Sequence, residues 1–388
     1  MKFTKKMKQF ISAVCTFAIV LGVCAVQPST KVKAAGSFTP VVAEGTNWSS
    51  GITTQTVTLP AAADAYDVTA LNISCSGVLY VTSLATSLAA TAYVDLYSDA
   101  ACTYSLGYGM TLFTSSLNTT DTATFTIPTA GTYYLKVYHK DMYSAKAPNS
   151  TVNYQTVMFS GEDKTLKADE AAITYSNDSN RTVYHKIVLK KNSVVAIAGK
   201  SMSLTSTSVY GLTVDLYDSK KNVLNSSIYL YDSNDYTNYM VLKKGTYYLG
   251  CKESDVYQIA YSAKNTKSSK AGATAKKAGK LKKGKNSFNI MPVGTSDKKA
   301  QWYKITLPKS AKLKIVTGGI GNNGSSYKIE VVPASSRVTL LNSSAYIYVN
   351  GDAKKYVTKD KMPKGVYYIK VTKSSTDQGL YYYLKVNY

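Results

Sequence analysis

The chain has 388 residues, a length that accommodates two to four domains of ordinary size. It carries 46 Lys and Arg against 23 Asp and Glu, for a formal net charge of +23. Only five cysteines are present and no apolar run after Val26 is long enough to cross a bilayer, which excludes a disulfide-framework protein and a membrane protein with several helical spans.

Residues 1–34 have the pattern of a secretory signal peptide. Four lysines precede or enter an apolar stretch from Phe10 to Val26, and Val32-Lys33-Ala34-Ala35 supplies small residues for cleavage. A membrane anchor is the alternative, but about 17 apolar residues are the short limit for spanning. A lipoprotein signal at Cys24 is disfavoured because Val23 stands where a small residue is expected. We therefore predict a secreted, extracellular protein, free or associated with the cell surface, with no transmembrane segment in its mature chain.

An internal repeat follows, with a Gly-X-Tyr-Tyr-aliphatic motif in each of three copies. The motif stands at 131–135, 245–249 and 365–369, each time after a turn signal and before a second aromatic strand. Upstream of it, each copy has two further apolar strands in the same order. We predict module 1 at residues 35–162, module 2 at 163–262 and module 3 at 285–388.

Each repeated segment alternates apolar and polar residues over four to eight positions. Val, Ile, Thr and Tyr dominate, and Gly, Asn, Asp, Ser and Pro separate the segments. No long segment has a helical period. The pattern predicts an all-β protein of three tandem antiparallel β-sandwich or jelly-roll-like modules.

Three cysteines remain after cleavage of the signal peptide. Cys75 and Cys102 fall in module 1 and are candidates for a disulfide, while two separate thiols are the alternative. Cys251 stands where the other copies have Val137 and Val371, which indicates a small buried side chain.

Residues 263–284 form a Lys-, Ala- and Gly-rich segment between modules 2 and 3. It has little apolar surface to bury and its like charges repel, so we expect a linker that is extended and in part mobile. Its end, from Leu281, is a candidate for the first strand of module 3.

The charge is distributed unevenly along the mature chain. Residues 35–162 carry a net charge of −5, residues 163–262 carry +2, and residues 263–388 carry +20 from 25 basic and five acidic residues. Such asymmetry predicts attraction of the C-terminal part to polyanions, whereas solubility is the alternative explanation. The predicted contact residues are lysines of the linker and its end: Lys276, Lys277, Lys280, Lys282, Lys283 and Lys285.

The Gly-Thr-Tyr-Tyr-Leu strand, together with Gln301-Trp302-Tyr303-Lys304-Ile305-Thr306-Leu307-Pro308-Lys309-Ser310, resembles the bacterial pre-peptidase C-terminal domains. Module 3 is the best match, module 2 is similar through Val183 to Lys191, and module 1 matches more loosely. The resemblance implies small jelly-roll-like sandwiches that are extracellular and non-catalytic, and that serve in adhesion or carbohydrate contact or support a neighbouring domain. No peptidase domain accompanies them in this chain.

Catalytic constellations are scarce. Of the two histidines, His185 falls on a strand, which favours a structural role, and His139 ends a strand and is expected at the surface. Neither has the surroundings of a hydrolytic triad. No clustered ligands suit zinc, so we predict a protein that is not an enzyme and has no cofactor. Calcium is the least implausible metal, at Asp232-Ser233-Asn234-Asp235 or Asn177-Asp178-Ser179-Asn180, although turn formation is the favoured explanation of these residues.

The 34 tyrosines outnumber eight Phe and two Trp, and Tyr-X-Tyr and Tyr-Tyr runs put rings on both faces of a strand. Outward rings suit stacking on sugars or proteins, or ordinary cross-strand contacts. We predict a secreted binding protein that attaches to the cell envelope or to an extracellular anionic polymer or polysaccharide through its basic C-terminal module. Alternatives are a structural or adhesion protein that binds surface proteins through Tyr-rich faces, and a cryptic glycoside hydrolase. Specific nucleic-acid recognition is not expected.

Overall fold

The computed structural model describes residues 53–59, 66–84, 91–114, 119–139, 150–176, 181–202, 209–230, 238–252, 255–322, 324–333 and 345–388. Nearly all the regular structure in these ranges is β-strand, and the strands pair almost entirely antiparallel. This confirms the prediction of an all-β chain of tandem sandwich modules. No helix in the described ranges is long and apolar enough to span a membrane. The predicted signal peptide lies outside them.

Module 1 is a sandwich of two sheets. The sheet that contains the Gly-X-Tyr-Tyr strand, here called the front sheet, has the order β2-β8-β4-β5-β6, and the back sheet has the order β1-β9-β3-β7. Their inward side chains form one apolar core. The strands are β1 (Thr53–Leu59), β2 (Tyr66–Ile73), β3 (Gly77–Ser83), β4 (Ala92–Tyr97), β5 (Ser105–Thr114), β6 (Thr119–Thr120), β7 (Thr122–Ile127), β8 (Gly131–His139) and β9 (Ser150–Ser160).

Module 2 repeats this arrangement. Its front layer is β10-β12-β17-β14-β15 and its back layer is β11-β18-β13-β16, and pairing of β13 with β14 joins the two layers into one folded sheet. A second core fills the space between them. The strands are β10 (Lys164–Thr165), β11 (Ala171–Ser176), β12 (Val183–Leu189), β13 (Ser193–Met202), β14 (Val209–Tyr217), β15 (Val223–Leu230), β16 (Asn238–Leu242), β17 (Gly245–Cys251) and β18 (Asp255–Asn265).

Module 3 has the front sheet β19-β21-β26-β23-β24 and the back sheet β20-β27-β22-β25 around a third core. A single 3-10 turn, Ala275–Lys277, precedes it. The strands are β19 (Gly279–Lys280), β20 (Asn286–Met291), β21 (Gln301–Leu307), β22 (Lys314–Gly321), β23 (Ser326–Pro333), β24 (Ala345–Tyr348), β25 (Lys354–Val357), β26 (Gly365–Lys373) and β27 (Leu380–Asn387).

The strand register is the same in the three copies. The motif glycine pairs with the last residue of the preceding front strand, as Gly131 with Ile73, Gly245 with Leu189 and Gly365 with Leu307. The repeat in the sequence is therefore a repeat in three dimensions, position by position.

The modules pack against one another through their back sheets. A small apolar cluster joins β3 and β9 of module 1 to β11 and β18 of module 2, and a second joins β13 and β16 of module 2 to β20, β22 and β27 of module 3. The outer faces of the front sheets take no part in these clusters, so they are the surfaces left for other partners.

The segment between modules 2 and 3 is folded, contrary to the expectation of an extended linker. Residues 263–265 complete β18, and Gly272 pairs with Trp302 through two backbone hydrogen bonds of 2.9 and 2.8 Å. β19 runs parallel to β21, and Leu281 is buried in the core of module 3. Composition missed this because the segment is held by its backbone and one leucine, while its lysines point to solvent.

Candidate functional site

The outer faces of the three front sheets are built on the same strand positions. Because side chains alternate along a strand, the first tyrosine of each motif faces the core and the second faces outward. Tyr133 and Tyr367 are buried, whereas their neighbours Tyr134, Tyr248 and Tyr368 are half-buried on the outer face. The prediction that tyrosine rings lie on both faces of these strands is thus confirmed.

In module 3 this outer face is rich in lysine. Lys280 lies opposite Lys304, which in turn lies opposite Tyr368, so three neighbouring strands contribute one row. The next row places Trp302 opposite Lys370. We call these five residues the basic face.

The aromatic rings of the basic face are held against one another and against a cation. The rings of Trp302 and Tyr368 meet edge to face at 6.4 Å, and the Lys370 ammonium lies 5.9 Å from the Trp302 ring centroid. These contacts orient a flat ring beside positive charge. A ligand with both anionic groups and a hydrophobic surface fits such a face.

Among the described strands of this sheet, Glu330 is the only residue with a carboxylate. Glu330 is paired with Lys370 at 2.9 Å and with Lys328 at 3.2 Å. Burial favours the protonated carboxyl, but hydrogen bonds from the two ammonium groups outweigh burial and lower the pKa of Glu330. The glutamate therefore stays ionised, and the four lysines Lys280, Lys304, Lys328 and Lys370 leave the face with a net positive charge.

The six lysines predicted from sequence lie along the edge of the module 3 sandwich, beside the basic face. Two end the 3-10 turn that packs against β21, Lys280 is on the edge strand β19, and the other three lie in the turn that crosses from β19 to β20. We call this set the lysine strip. Every member is exposed, namely Lys276, Lys277, Lys280, Lys282, Lys283 and Lys285.

Sequence reasoning missed the lysines that tertiary structure adds to this strip. Lys304 is more than twenty residues from Lys280 but is its cross-strand partner. At the other end, the Lys283 ammonium lies 4.9 Å from the ring of Tyr388, and Lys385 on β27 pairs with Asn286, the residue that follows the strip. The strand pattern around Trp302 was visible in the sequence, whereas the parallel pairing of β19 with β21 was not.

The corresponding faces of modules 1 and 2 carry tyrosines around an aspartate. In module 1, Asp95 accepts hydrogen bonds from Tyr97 at 3.0 Å, Tyr138 at 3.2 Å and the backbone of Gly109 at 2.6 Å. Burial and the nearby Asp95 raise the pKa of both tyrosines to about 12, so they remain donors. In module 2, Asp215 accepts hydrogen bonds from the Tyr217 hydroxyl at 3.2 Å and from the backbone N–H of Ser227 at 2.7 Å.

These two faces lack the excess of lysine found in module 3. On the module 1 face, Lys136 lies opposite Asp95, and its ammonium is 4.3 Å from the Tyr66 ring. The three modules therefore build this face on the same strand positions, but the charge of the face differs from one module to the next.

The candidate disulfide is not formed. Cys75 is buried at the end of β2, and Cys102 is half-buried in the turn after β4. Strand β8 lies between β2 and β4, which puts these strands about 9.5 Å apart, whereas bridged cysteines have Cα atoms within about 7 Å. Cys251 is buried in the module 2 core, as its alignment with valines predicted.

The other residues considered from sequence do not assemble into a reactive site. His185 is fully buried and contacts Tyr257 across the module 2 sandwich, at 2.7 Å from Nε2 to the hydroxyl. His139 is buried at the end of β8, so the expectation of a surface position is wrong. Within the described ranges, no three His, Cys, Asp or Glu side chains are grouped to hold a metal ion. Both calcium candidates lie outside those ranges, and calcium binding stays a prediction.

No protein-family model matches the chain, and no curated protein matches it in sequence. The resemblance to pre-peptidase C-terminal domains therefore stays a prediction.

Three solved structures show loose similarity at 9–10% identity. The CUB1-EGF-CUB2 domain of human MASP-1/3 has 9% identity and a TM-score of 0.18, over 54% of this chain and 99% of that chain. The tandem CBM51 modules of a family 98 glycoside hydrolase from Streptococcus pneumoniae have 10% identity and a TM-score of 0.16, over 85% and 83%. Truncated AlyQ, with CBM32 and alginate lyase domains, has 10% identity and a TM-score of 0.19, over 55% and 92%. Scores this low carry no argument about the ligand of this chain.

Proposed function

We propose that this chain is an exported, non-catalytic binding protein that attaches to an anionic polymer of the cell envelope or the extracellular space through module 3. The observation that carries the proposal is the basic face together with the adjoining lysine strip, which share Lys280. Glu330 beside the face is already paired with Lys328 and Lys370, so it leaves most of this positive charge uncompensated. Export rests on the sequence of residues 1–34 alone.

The distribution of charge supports attachment rather than solubility as the role of the lysines. Charge that serves only solubility can lie anywhere on the surface. Here 25 of the 46 basic residues fall in residues 263–388, together with only five acidic residues. Facing lysines such as Lys280 and Lys304 repel each other in the free protein. A polyanion that binds across them relieves this repulsion and releases its own counterions.

Retention on an anionic polymer tests the proposal. The mature chain would be passed over immobilised polygalacturonate, or over wall teichoic acid, at 50 mM and 500 mM salt. Binding at the lower and release at the higher salt are expected, because mobile ions screen exposed charge. Retention that does not change with salt contradicts the proposal.

A matched pair of variants locates the site. Replacing the six strip lysines by glutamine is expected to weaken retention by about tenfold or more. The control replaces six lysines of module 2 by glutamine, which changes the net charge equally: Lys190, Lys191, Lys220, Lys243, Lys244 and Lys252. Equal loss in both variants would show that net charge, and not the strip, attracts the polymer.

A second function is favoured by the module 1 face. Its tyrosines Tyr66, Tyr104 and Tyr108 are 58%, 73% and 77% exposed, which is unusual for large rings on a sheet. Such rings suit contact with a surface protein, and this alternative predicts a complex that survives 500 mM salt and needs module 1.

A further inference from the structure

A cleft of about 220 Å³ lies where module 1 meets module 2. One wall comes from the β2–β3 turn and the end of β7 in module 1, and the other from the end of β11 and the start of β12 in module 2. Clefts between domains are common places for small ligands. The lining residues that matter here are Ser76, Gly77, Thr126, Pro128, Tyr175 and Arg181.

Two glycines open the floor of this cleft. Gly77 has a φ of +150°, and a Cβ at that position would stand 1.9 Å from the Phe159 carbonyl oxygen. The Gly161 N–H donates to the Ser76 carbonyl at 2.9 Å. A Cβ at Gly161 would stand 3.4 Å from the Tyr175 carbonyl oxygen. A side chain at position 77 would clash with the backbone behind the cleft, whereas one at position 161 would reach ordinary contact with the Tyr175 carbonyl.

The two walls are held together by a packed apolar contact. Val78 and Phe159 of module 1 pack in one cluster with Ile173 and Val256 of module 2, directly behind the cleft. The Thr174 hydroxyl also donates to the Ser160 carbonyl at 2.7 Å across the junction. The cleft is therefore preformed, which lowers the entropic cost of binding.

The chemistry of the lining is one cation among hydroxyl groups. Arg181 is one of only two arginines in the chain, and it lines the cleft as an exposed residue. Thr126 is exposed beside it, Ser76 adds a hydroxyl, and Tyr175 and Pro128 add ring surfaces. A guanidinium is suited to bidentate binding of a carboxylate.

One acidic residue lies near the cleft without lining it. Glu162 accepts from the backbone N–H of Ser76 at 3.2 Å, with the Ser76 hydroxyl 3.5 Å away. Its charge opposes an anionic ligand, so the strength of binding depends on the balance between Glu162 and Arg181.

We infer that this cleft binds the carboxylate-bearing sugar of an acidic polysaccharide, a uronic acid residue. Its carboxylate pairs with Arg181, its hydroxyls bond to Ser76 and Thr126, and its ring lies against Tyr175 and Pro128. The inference rests on the proposed function in one respect, since it makes the anionic polymer a polyuronate. Lysines alone would accept any polyanion, whereas this cleft selects a planar carboxylate beside a sugar ring.

The test uses the full mature chain that carries the six lysine-to-glutamine changes in the strip, so that the strip does not bind the probes. The probes are trimers of galacturonic acid and of mannuronic acid, with their methyl esters as neutral controls, measured by calorimetric titration. One acid trimer is expected to bind, and its ester to bind at least about tenfold more weakly.

Three variants in this background identify the residues, and a fourth is the control. Arg181→Gln is expected to weaken binding about tenfold and Arg181→Lys by less, because lysine keeps the charge but loses the bidentate fork. Glu162→Gln is expected to strengthen binding about threefold. Lys167→Gln, an exposed change of equal charge in module 2, is expected to change nothing. Since Arg181 is exposed, these proteins should have equal melting temperatures.

The outcomes separate this inference from the proposed function. Failure of both acid trimers to bind, or equal binding by Arg181→Gln, overturns the uronate site. Polymer retention that still depends on salt and on the lysine strip would leave the proposed function intact in that case.

Discussion

One buried tyrosine recurs at the same place in all three modules, and its hydroxyl bonds across the sandwich. Tyr154, Tyr257 and Tyr382 come from the last strand of each module. Their partners on the equivalent strands β2, β12 and β21 differ, because Thr69 lies at 3.2 Å in module 1, His185 at 2.7 Å in module 2 and Tyr303 at 2.8 Å in module 3. A buried hydroxyl without a partner costs about 1–3 kcal/mol, so the partner can change in identity but must remain polar.

His185 makes the stability of module 2 dependent on pH. Burial, with the charge of Lys164 adding to it, lowers the pKa of His185 from 6.5 to about 4. Above pH 6.5 the histidine is neutral in both states and contributes no pH dependence. Between pH 6.5 and 4 the unfolded chain takes up a proton that the folded chain does not, so stability falls by up to about 3 kcal/mol.

Urea unfolding of the native protein and of His185→Gln at pH 7 and pH 4.5 checks this expectation. Glutamine can still bond to the Tyr257 hydroxyl but does not titrate, so the variant should lose less stability on acidification. Titrating carboxylates affect both proteins alike. An identical loss in the two proteins would show that the histidine is already protonated in the fold or does not contribute.

At the scale of the element, the Gly-X-Tyr-Tyr motif closes the turn that leads into its own strand. The first tyrosine of each copy donates to the carbonyl four residues earlier, from Tyr133 at 2.6 Å, Tyr247 at 3.1 Å and Tyr367 at 2.9 Å. The ring packs on the core side of the strand and the hydroxyl bonds to the turn, so one residue stabilises both the core and the turn. This explains why the motif and the turn signal occur together in the sequence.

The segment that carries the lysine strip is itself a folded element held by close backbone contacts. A Cβ at Gly279 would stand 1.7 Å from the Lys270 carbonyl oxygen, and one at Gly272 would stand 2.1 Å from the Lys277 carbonyl oxygen. The chain therefore folds back on itself between these glycines, and the edge strand β19 depends on that approach.

Gly279→Ala is expected to displace residues 270–272 and release the strip from module 3. Trypsin should then cut among the strip lysines at least about tenfold faster, because cleavage needs locally opened chain. Gly351→Ala is the control, since nothing lies within 4 Å of a Cβ there and its backbone is not in the left-handed region. Cleavage of the native protein as fast as of Gly279→Ala would contradict the folded segment.

At the scale of the whole molecule, modules 2 and 3 are joined by direct contact. The Val293 N–H donates to the Val241 carbonyl at 2.9 Å, and Gly379 lies so close that a Cβ would be 2.7 Å from the Val241 nitrogen. The buried Lys373 ammonium orders this loop by donating to the carbonyls of Pro292, Thr376 and Gln378 at 3.0, 3.0 and 2.6 Å. Burial lowers the pKa of Lys373 to about 8, with Asp377 and Asp297 opposing the shift.

Gly379→Val should separate modules 2 and 3 without unfolding either core. We expect a larger radius of gyration by small-angle scattering and two resolved thermal transitions in place of a coupled one. Gly351→Val is the matched control on an open part of the same module. Unchanged scattering from Gly379→Val would mean that the junction tolerates the added side chain and that the contact does not set the arrangement.

The sequence by itself determined the strand class, the three copies and the inward and outward faces, because alternation and the position of Gly-X-Tyr-Tyr are local properties of the chain. It also located the positive charge in residues 263–388. Tertiary structure alone decided that the lysine segment is folded, that Lys280 faces Lys304, and that Arg181 stands in a cleft with Ser76. These depend on pairings between residues far apart in the chain, which composition and periodicity do not encode. The same reason explains why Cys75 and Cys102, near in sequence, are kept apart by an intervening strand.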